Sequence, residues 1–306
     1  MNGELLFWLN LLVGAGVYAL LALSLNLING YARMFHLGHH GFWALGAYTA
    51  ALLSRALEHD LPGPLLLLLT LVAAMVVGAL GGVCVGVPCL RLRGDYLAVA
   101  TLGFGELVWR GIANVEAQAL SVPRLLMEVD ADTKVLFRAV NLALVLCCCA
   151  LAFAGIRRLV HSAHGRRLLA VAQDETAAEL CGIEPARSKR IAFAFGASLA
   201  ALAGALYAHY QGSVAPEDFK FIEMVKMLLI VVLGGIGSQT GCVVGALLFV
   251  GLERLLPRTG EVLYSWWQVE FPLLLALVML FRPRGLLGRR ELGDVVRSFR
   301  ARRARA

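Results

Sequence analysis

Glu106, Arg110 and Asn114 stand four residues apart in the run "LAVATLGFGELVWRGIAN" (97–114). At 3.6 residues per turn they form one polar stripe along a helix, and Glu and Arg at this spacing can pair. In an apolar helix such a stripe has two readings, a pathway or gating element and an ion pair that locks helix packing. Each charge costs about 2.5–3.5 kcal/mol at mid-bilayer on insertion scales, so the stripe is expected to face other helices or a wet cavity rather than lipid. A second cluster, "HLGHH", holds His36, His39 and His40 at spacings that place them on one face of a helix. Three imidazoles could ligate a metal, but no HExxH and no matching carboxylate stands near, so hydrogen-bonded histidines near a membrane surface are expected. No GxxxxGK[ST] occurs, and none of the four lysines follows a glycine. ATP hydrolysis by a phosphate-binding loop is therefore excluded. No Ser/His/Asp or paired-carboxylate constellation points to an enzyme.

The elements that must carry these residues are membrane spans. The 306 residues are 59% hydrophobic and 16% charged, with a mean hydropathy of +0.74. A soluble domain is nearer a quarter charged, whereas a span needs roughly 20 mostly apolar residues. The apolar runs are continuous rather than alternating, which favours a polytopic helical bundle over a β-barrel. Leu5–Ile28 lacks a basic n-region and exceeds a typical h-region, so it reads as a span rather than a leader. Seven cysteines, an odd number without a CxxC pair, support neither a disulfide framework nor a zinc site.

The net charge of +7 is unevenly spread. Nine arginines follow Phe281, and Arg157, Arg158, Arg166, Arg167, Arg187, Lys189 and Arg190 form a central island. Basic clusters beside apolar spans mark the cytoplasmic side, and this distribution argues against nucleic acid. The tail is also placed to touch anionic head groups. Threading from an outer N-terminus gives nine crossings: Leu5–Ile28, Met34–Leu53, Pro64–Val87, Leu97–Asn114, Val140–Ile156, Ile191–Tyr210, Met224–Ile236, Val243–Leu256 and Trp266–Phe281. A range of eight to ten is allowed, because Met34–Leu53 and the run ending in "LGGIGSQTG" read as candidate broken or re-entrant helices. Residues 1–288 form one transmembrane domain with a cytoplasmic loop at 157–190, and 289–306 form a basic tail. "GFWALGAYTA" and "GSQTGCVVGALL" share small residues at four-residue spacing, either a faint repeat or ordinary membrane packing.

Inside the island, "HGRRLLAVAQDETAAELCG" (164–182) is rich in helix formers. Leu168, Val171, Ala172, Glu175, Ala178 and Glu179 recur at three- and four-residue spacing. They predict one helix after Gly165, ended by Gly182, too charged to span and placed in the cytoplasm as a docking or interfacial helix.

"DETAAELCG" resembles the coupling loop of importer-type ABC permeases, with Glu175, Ala177, Ala178 and Gly182 matching. "LRLRGDYLAVATLGFGE", "LGHHGFWALGAYTAALL", "FAFGASLAALAGALYAHYQGSVAPEDF", "VVLGGIGS" and "LFRPRGLLG" extend the resemblance to the branched-chain amino-acid ABC permeases, LivM-type subunit, with gaps from Gly30 to Gly288. Gly94, Asp95, Tyr96, Thr101, Gly103, Gly234 and Gly235 belong to these motifs. The resemblance implies two cytoplasmic ATPase subunits that carry ATP and Mg, a second permease subunit (LivH-like, or a second copy), a periplasmic binding protein and an inner-membrane location. It places Glu175, Ala177, Ala178 and Gly182 at the ATPase contact, Arg166 and Arg167 at its rim, and Glu106, Arg110 and Asn114 in the pathway or gate.

Three positions depart from the family pattern. The loop after the "TLGFGE" helix lacks the usual Thr-Gly-Gly run. His36 stands where serine is common, and Lys226 where many members carry a carboxylate, with Glu223 one turn earlier. These departures leave open urea, a short amide or an aromatic acid as the solute. The rival from another class is an ion-driven secondary transporter, which intramembrane carboxylates without a partner would favour.

Overall fold

The computed structural model describes residues 2–90, 92, 94–115, 119–123 and 134–255, together with 280, 285, 286 and 288. The proposed ninth crossing, Trp266–Phe281, and the tail 289–306 fall almost wholly outside them.

Among the described residues the chain folds into ten α-helices: α1 Asn2–Asn26, α2 His39–Leu57, α3 Gly63–Cys89, α4 Asp95–Val115, α5 Lys134–His161, α6 Ala163–Gln173, α7 Glu175–Leu180, α8 Pro185–Gln211, α9 Phe221–Gly234 and α10 Gln239–Leu255. A two-residue ladder pairs β1 (Leu120–Ser121) with β2 (Ser213–Val214), antiparallel. Four helices are long and apolar enough to span: α1 with its extension to Tyr31, α3, α5 and α8. The α1 window is 89% buried and the α8 window 78%, against 39% for α3 and 28% for α5. The inner pair is therefore α1 and α8. The outer face of α3 shows Leu65, Leu68, Val72, Val76, Leu80, Val83 and Val87 exposed at three- and four-residue spacing, a stripe suited to lipid.

The packing around α8 is set by small residues. Gly46 of α2 sits against the backbone of Ala201, and Gly204 against the backbone of Trp43 and Ala47. Gly78 and Gly82 of α3 meet Ala197, Ser198 and Ala194. Small residues let membrane helices approach backbone to backbone, and dispersion contacts then supply the association. Trp43, Tyr207 and Phe219 close the outer part of this block, with Trp43–Phe219 centroids 4.7 Å apart and Trp43–Tyr207 centroids 5.1 Å apart.

The helices of the two weak crossings are themselves unbroken, α2 over 19 residues and α9 over 14, and the breaks in the chain lie beside them. The first crossing does not run from Met34. α1 ends in a π-helical turn, Leu27–Tyr31, and a non-helical segment leads to α2 at His39. Asn29 holds that segment, accepting from the His36 backbone N at 3.2 Å and donating to its carbonyl at 3.3 Å. Thr101 of α4 accepts from Leu37 N at 3.1 Å. The second break is Gly235–Ser238, between α9 of 14 residues and α10 of 17. At 1.5 Å per residue α9 reaches only about 21 Å, short of the roughly 30 Å hydrocarbon layer. Gly234 lies against Gly241, which lets the two helices close into a hairpin.

The breaks meet each other. Asn26 is fully buried. Its Oδ1 accepts from Gly237 N at 2.8 Å and its Nδ2 donates to Ser238 O at 3.3 Å. Leu286 N donates to Leu233 O at 2.8 Å, and Gly285 and Gly288 lie against Gly235, at the same end of the bundle.

Candidate functional site: the α6–α7 corner and the charged interior

The island folds as two helices, not one. Asp174 takes an extended conformation (φ −150°, ψ 114°) that ends α6 and caps α7. Its Oδ1 accepts from Ala177 N at 3.0 Å. A carboxylate at that position satisfies an otherwise orphan helix donor, which outcompetes continuation of the helix. Ser162 caps α6 in the same way through Gly165 N at 3.2 Å, so the first helix begins before Gly165 rather than after it. Gly165 is buried against the Leu159 and Val160 carbonyls, where the chain turns from α5 into α6. Gly182 ends α7 with φ +75°. Gly182 N donates to Glu179 O at 2.9 Å and Ile183 N to Ala178 O at 3.0 Å, the pair of bonds of a Schellman cap.

The predicted docking residues divide between anchor and surface. Ala178 is buried, and Glu175 is half-buried with Oε2 2.9 Å from Lys189 Nζ of α8. Ala177 and Gly182 are exposed. Arg166 is exposed and donates to His161 O at 3.0 Å, and Arg167 is exposed beside α8. Leu180, which the spacing did not single out, is 86% exposed. The signal for it was present: an apolar residue in a short charged helix, off the face that carries Ala178.

On its other side α6 adjoins both breaks. Leu169, Ala172 and Gln173 line a cleft with Gly30, Tyr31 and Arg33 at the end of α1 and with Gly237. Arg33 has φ +51° and donates to Ala172 O at 3.3 Å.

The stripe on α4 lies on a face that the described residues do not cover. Arg110 Nε is 3.9 Å from Glu106 Oε2, but the Arg110 side chain is 74% exposed, and Asn114 is exposed too. The same face also carries Asp95, Tyr96, Val99, Gly103 and Leu107, all exposed. Gly94, just before α4, has φ +58°. Thr101 faces inward and Trp109 Nε1 donates to Pro216 O at 2.9 Å, which anchors the C-terminal half of α4. Gly234 and Gly235 lie at the α9–α10 turn.

The histidines do not share a helix face. His36 precedes α2, which starts at His39. His39 Nε2 lies 2.7 Å from Ser24 Oγ, and His40 packs on Gly105. His36 is fully buried among Phe42, Phe193 and His39, and neither ring nitrogen has a hydrogen-bond partner among the described residues. The expectation of hydrogen-bonded histidines therefore holds for His39; it fails for His36, whose imidazole aromatic rings surround, and for His40, whose ring nitrogens also have no partner among the described residues. The described residues hold no cluster of three metal-binding side chains.

A charged network lies deeper. Lys226 Nζ is 2.8 Å from Glu223 Oε1 and 3.0 Å from Glu253 Oε1 of α10. The Tyr18 hydroxyl of α1 donates to Glu223 Oε2 at 2.6 Å. Glu253 was not legible as a partner, since 27 residues separate it from Lys226 and no local spacing links them.

These elements sit in a chain whose residues 7–281 match the model of the branched-chain amino acid transport system permease component. The chain belongs to this family. It is 37% identical over 297 residues to the high-affinity branched-chain amino acid transport system permease protein LivM of Escherichia coli strain K12, covering 89% of this chain and 68% of that protein. It is 27% identical over 300 residues to the corresponding protein BraD of Pseudomonas aeruginosa, covering 94% of this chain and 96% of that one. A shorter match, 36% over 135 residues, relates it to LivH of Salmonella typhimurium, covering 44% of this chain and 43% of the relative. This permease is thus a multi-pass α-helical membrane protein, and its family members are transport subunits.

Proposed function

We propose that this chain is one membrane-spanning subunit of an ABC importer for branched-chain or related amino acids. A periplasmic binding protein delivers the solute, and two cytoplasmic ATPase subunits supply the energy. The basic α5–α8 corner lies in the cytoplasm and the N-terminus outside. One observation carries the reading beyond family membership: the α6–α7 corner is braced against both breaks in the bundle. A force on α7 reaches Ala172 through α6, then Arg33 and the end of α1, and through Asn26 the α9–α10 turn. Ligand-biased switching between two packed states needs such a rigid path to a deformable element, and a π turn beside a glycine-rich turn is deformable.

In this reading Glu175 and Ala178 hold α7 on the bundle. Ala177, Leu180 and Gly182 meet the ATPase, with Arg166 and Arg167 at the rim. The uncovered face of α4, with Glu106, Arg110 and Asn114, meets a second permease subunit and the pathway between them. The likeness to both LivM and LivH supports a pair of related permeases. The secondary-transporter alternative loses its motive, because Glu223 and Glu253 each meet Lys226. The test is reconstitution with the ATPases, sister permease and binding protein, comparing wild type with Leu180→Glu. The substitution removes no buried contact, so the bundle stays intact while solute-stimulated ATP turnover and uptake fall together. Unchanged uptake would reject the docking role of α7.

A further inference from the structure

The cytoplasmic ends of α3, α6 and α8 carry basic groups that the coupling reading does not use. Arg187 and Ile191 of α8 line two adjoining crevices. One lies against α6, with Leu159, His164, Arg167, Leu168 and Ser188. The other opens between α8 and α3, lined by Val83, Arg190 and Ala194. Lys189 is already engaged, meeting Glu175 at 2.9 Å, whereas Arg190 gives only one guanidinium nitrogen to Glu184, at 3.5 Å on the exposed side. Arg187 makes no ion pair or side-chain hydrogen bond among the described residues, yet it stands where both crevices meet. The Arg190 stem runs past Gly86 of α3, which keeps its guanidinium at the mouth of the second crevice.

The apolar wall decides the occupant. Val83 belongs to the exposed stripe of α3 that continues through Leu80, Val76 and Val72 towards the opposite leaflet. The crevice is therefore the charged end of a hydrocarbon-facing groove. A soluble protein docking at the arginines would leave that groove bare, whereas a phospholipid fills both parts. Basic pockets between helices at the cytoplasmic surface suit anionic head groups, and arginine matches phosphate oxygens in a bidentate fashion. We propose that Arg187 and Arg190, with the groove Val83–Ile191–Ala194, form a binding site for one anionic phospholipid of the cytoplasmic leaflet. The phosphate lies between the two guanidinium groups, and one acyl chain runs along α3. Only the cytoplasmic placement of this corner is taken from the proposed function.

The test uses the full transporter in nanodiscs of phosphatidylglycerol or of phosphatidylcholine, with bound lipid counted by native mass spectrometry. Two variants are compared with wild type, Arg187→Gln/Arg190→Gln and the uncharged groove-filling Ala194→Phe. Wild type is expected to retain one phosphatidylglycerol and to melt higher in that lipid than in phosphatidylcholine. At about 1 kcal/mol per basic group, the double variant binds the lipid about thirtyfold more weakly. Ala194→Phe, with both arginines intact, loses the bound lipid too. Both variants keep their ATPase subunits. Lipid retention by either variant overturns the proposal. So does loss of ATPase subunits from the double variant with its lipid still bound, which would assign the arginines to a protein contact. Failure of Leu180→Glu to uncouple transport leaves this outcome unaffected, so the two readings fail separately.

Discussion

Glycine means opposite things in two regions of this permease. In the α2–α3–α8 block, Gly46, Gly78, Gly82 and Gly204 are points where two helix backbones touch, and a methyl group on any of them would overlap a neighbour. On α4, Gly103 and Gly111 meet no neighbour among the described residues, beside exposed Tyr96, Val99 and Leu107. The first region is a finished interface within one chain. The second has the small residues and mixed polarity that the proposed contact with a second permease subunit would use. The ion pairs divide in the same way: Lys226 is held by two carboxylates in the interior, while Arg110 and Glu106 meet at 3.9 Å on the uncovered face.

The largest effect on the chain's own stability is expected from Gly204→Leu. Overpacking costs about 1–3 kcal/mol where side chains can shift, and here backbone must move, so little monodisperse protein should survive size-exclusion chromatography. Lys226→Met comes next. Removing one partner of a buried ionic group costs about 3–5 kcal/mol, and this half-buried network should lose less, read as a fall in Tm. The triple change Glu223→Gln, Lys226→Met, Glu253→Gln should recover most of it, because no carboxylate is then left without its cation. Glu106→Gln should cost the isolated chain under about 1 kcal/mol, as for other exposed pairs. Gly103→Leu should leave the melting curve of the isolated chain unchanged and abolish co-purification with the second permease subunit. A stable pair containing Gly103→Leu would remove the distinction between the two regions.

Much of this was legible from the residues. The long spans α1, α3, α5 and α8 follow from unbroken apolar runs, because burial in lipid leaves a helix no alternative. Gly182 announced the end of α7 because few other residues adopt its φ. The break at Asp174 was hidden: the Leu168, Val171, Ala172 and Glu175 spacing is continuous, and only a side chain folding onto Ala177 N reveals that capping wins. The segment before α2 hid His36 for a related reason, since its hydrogen bonds come from Asn29 and Thr101 and not from local turn residues. The stripe of Glu106, Arg110 and Asn114 was found, but which neighbour it faces is a property of the assembled bundle. Glu253 illustrates the same limit, because the partner of a buried cation is chosen by helix packing.

With one amide Asn26 staples the foot of α1 to the turn between α9 and α10. Shortening that side chain to alanine would cut the staple and let each drift alone, and a shove delivered from below would then spend itself before reaching the far helices.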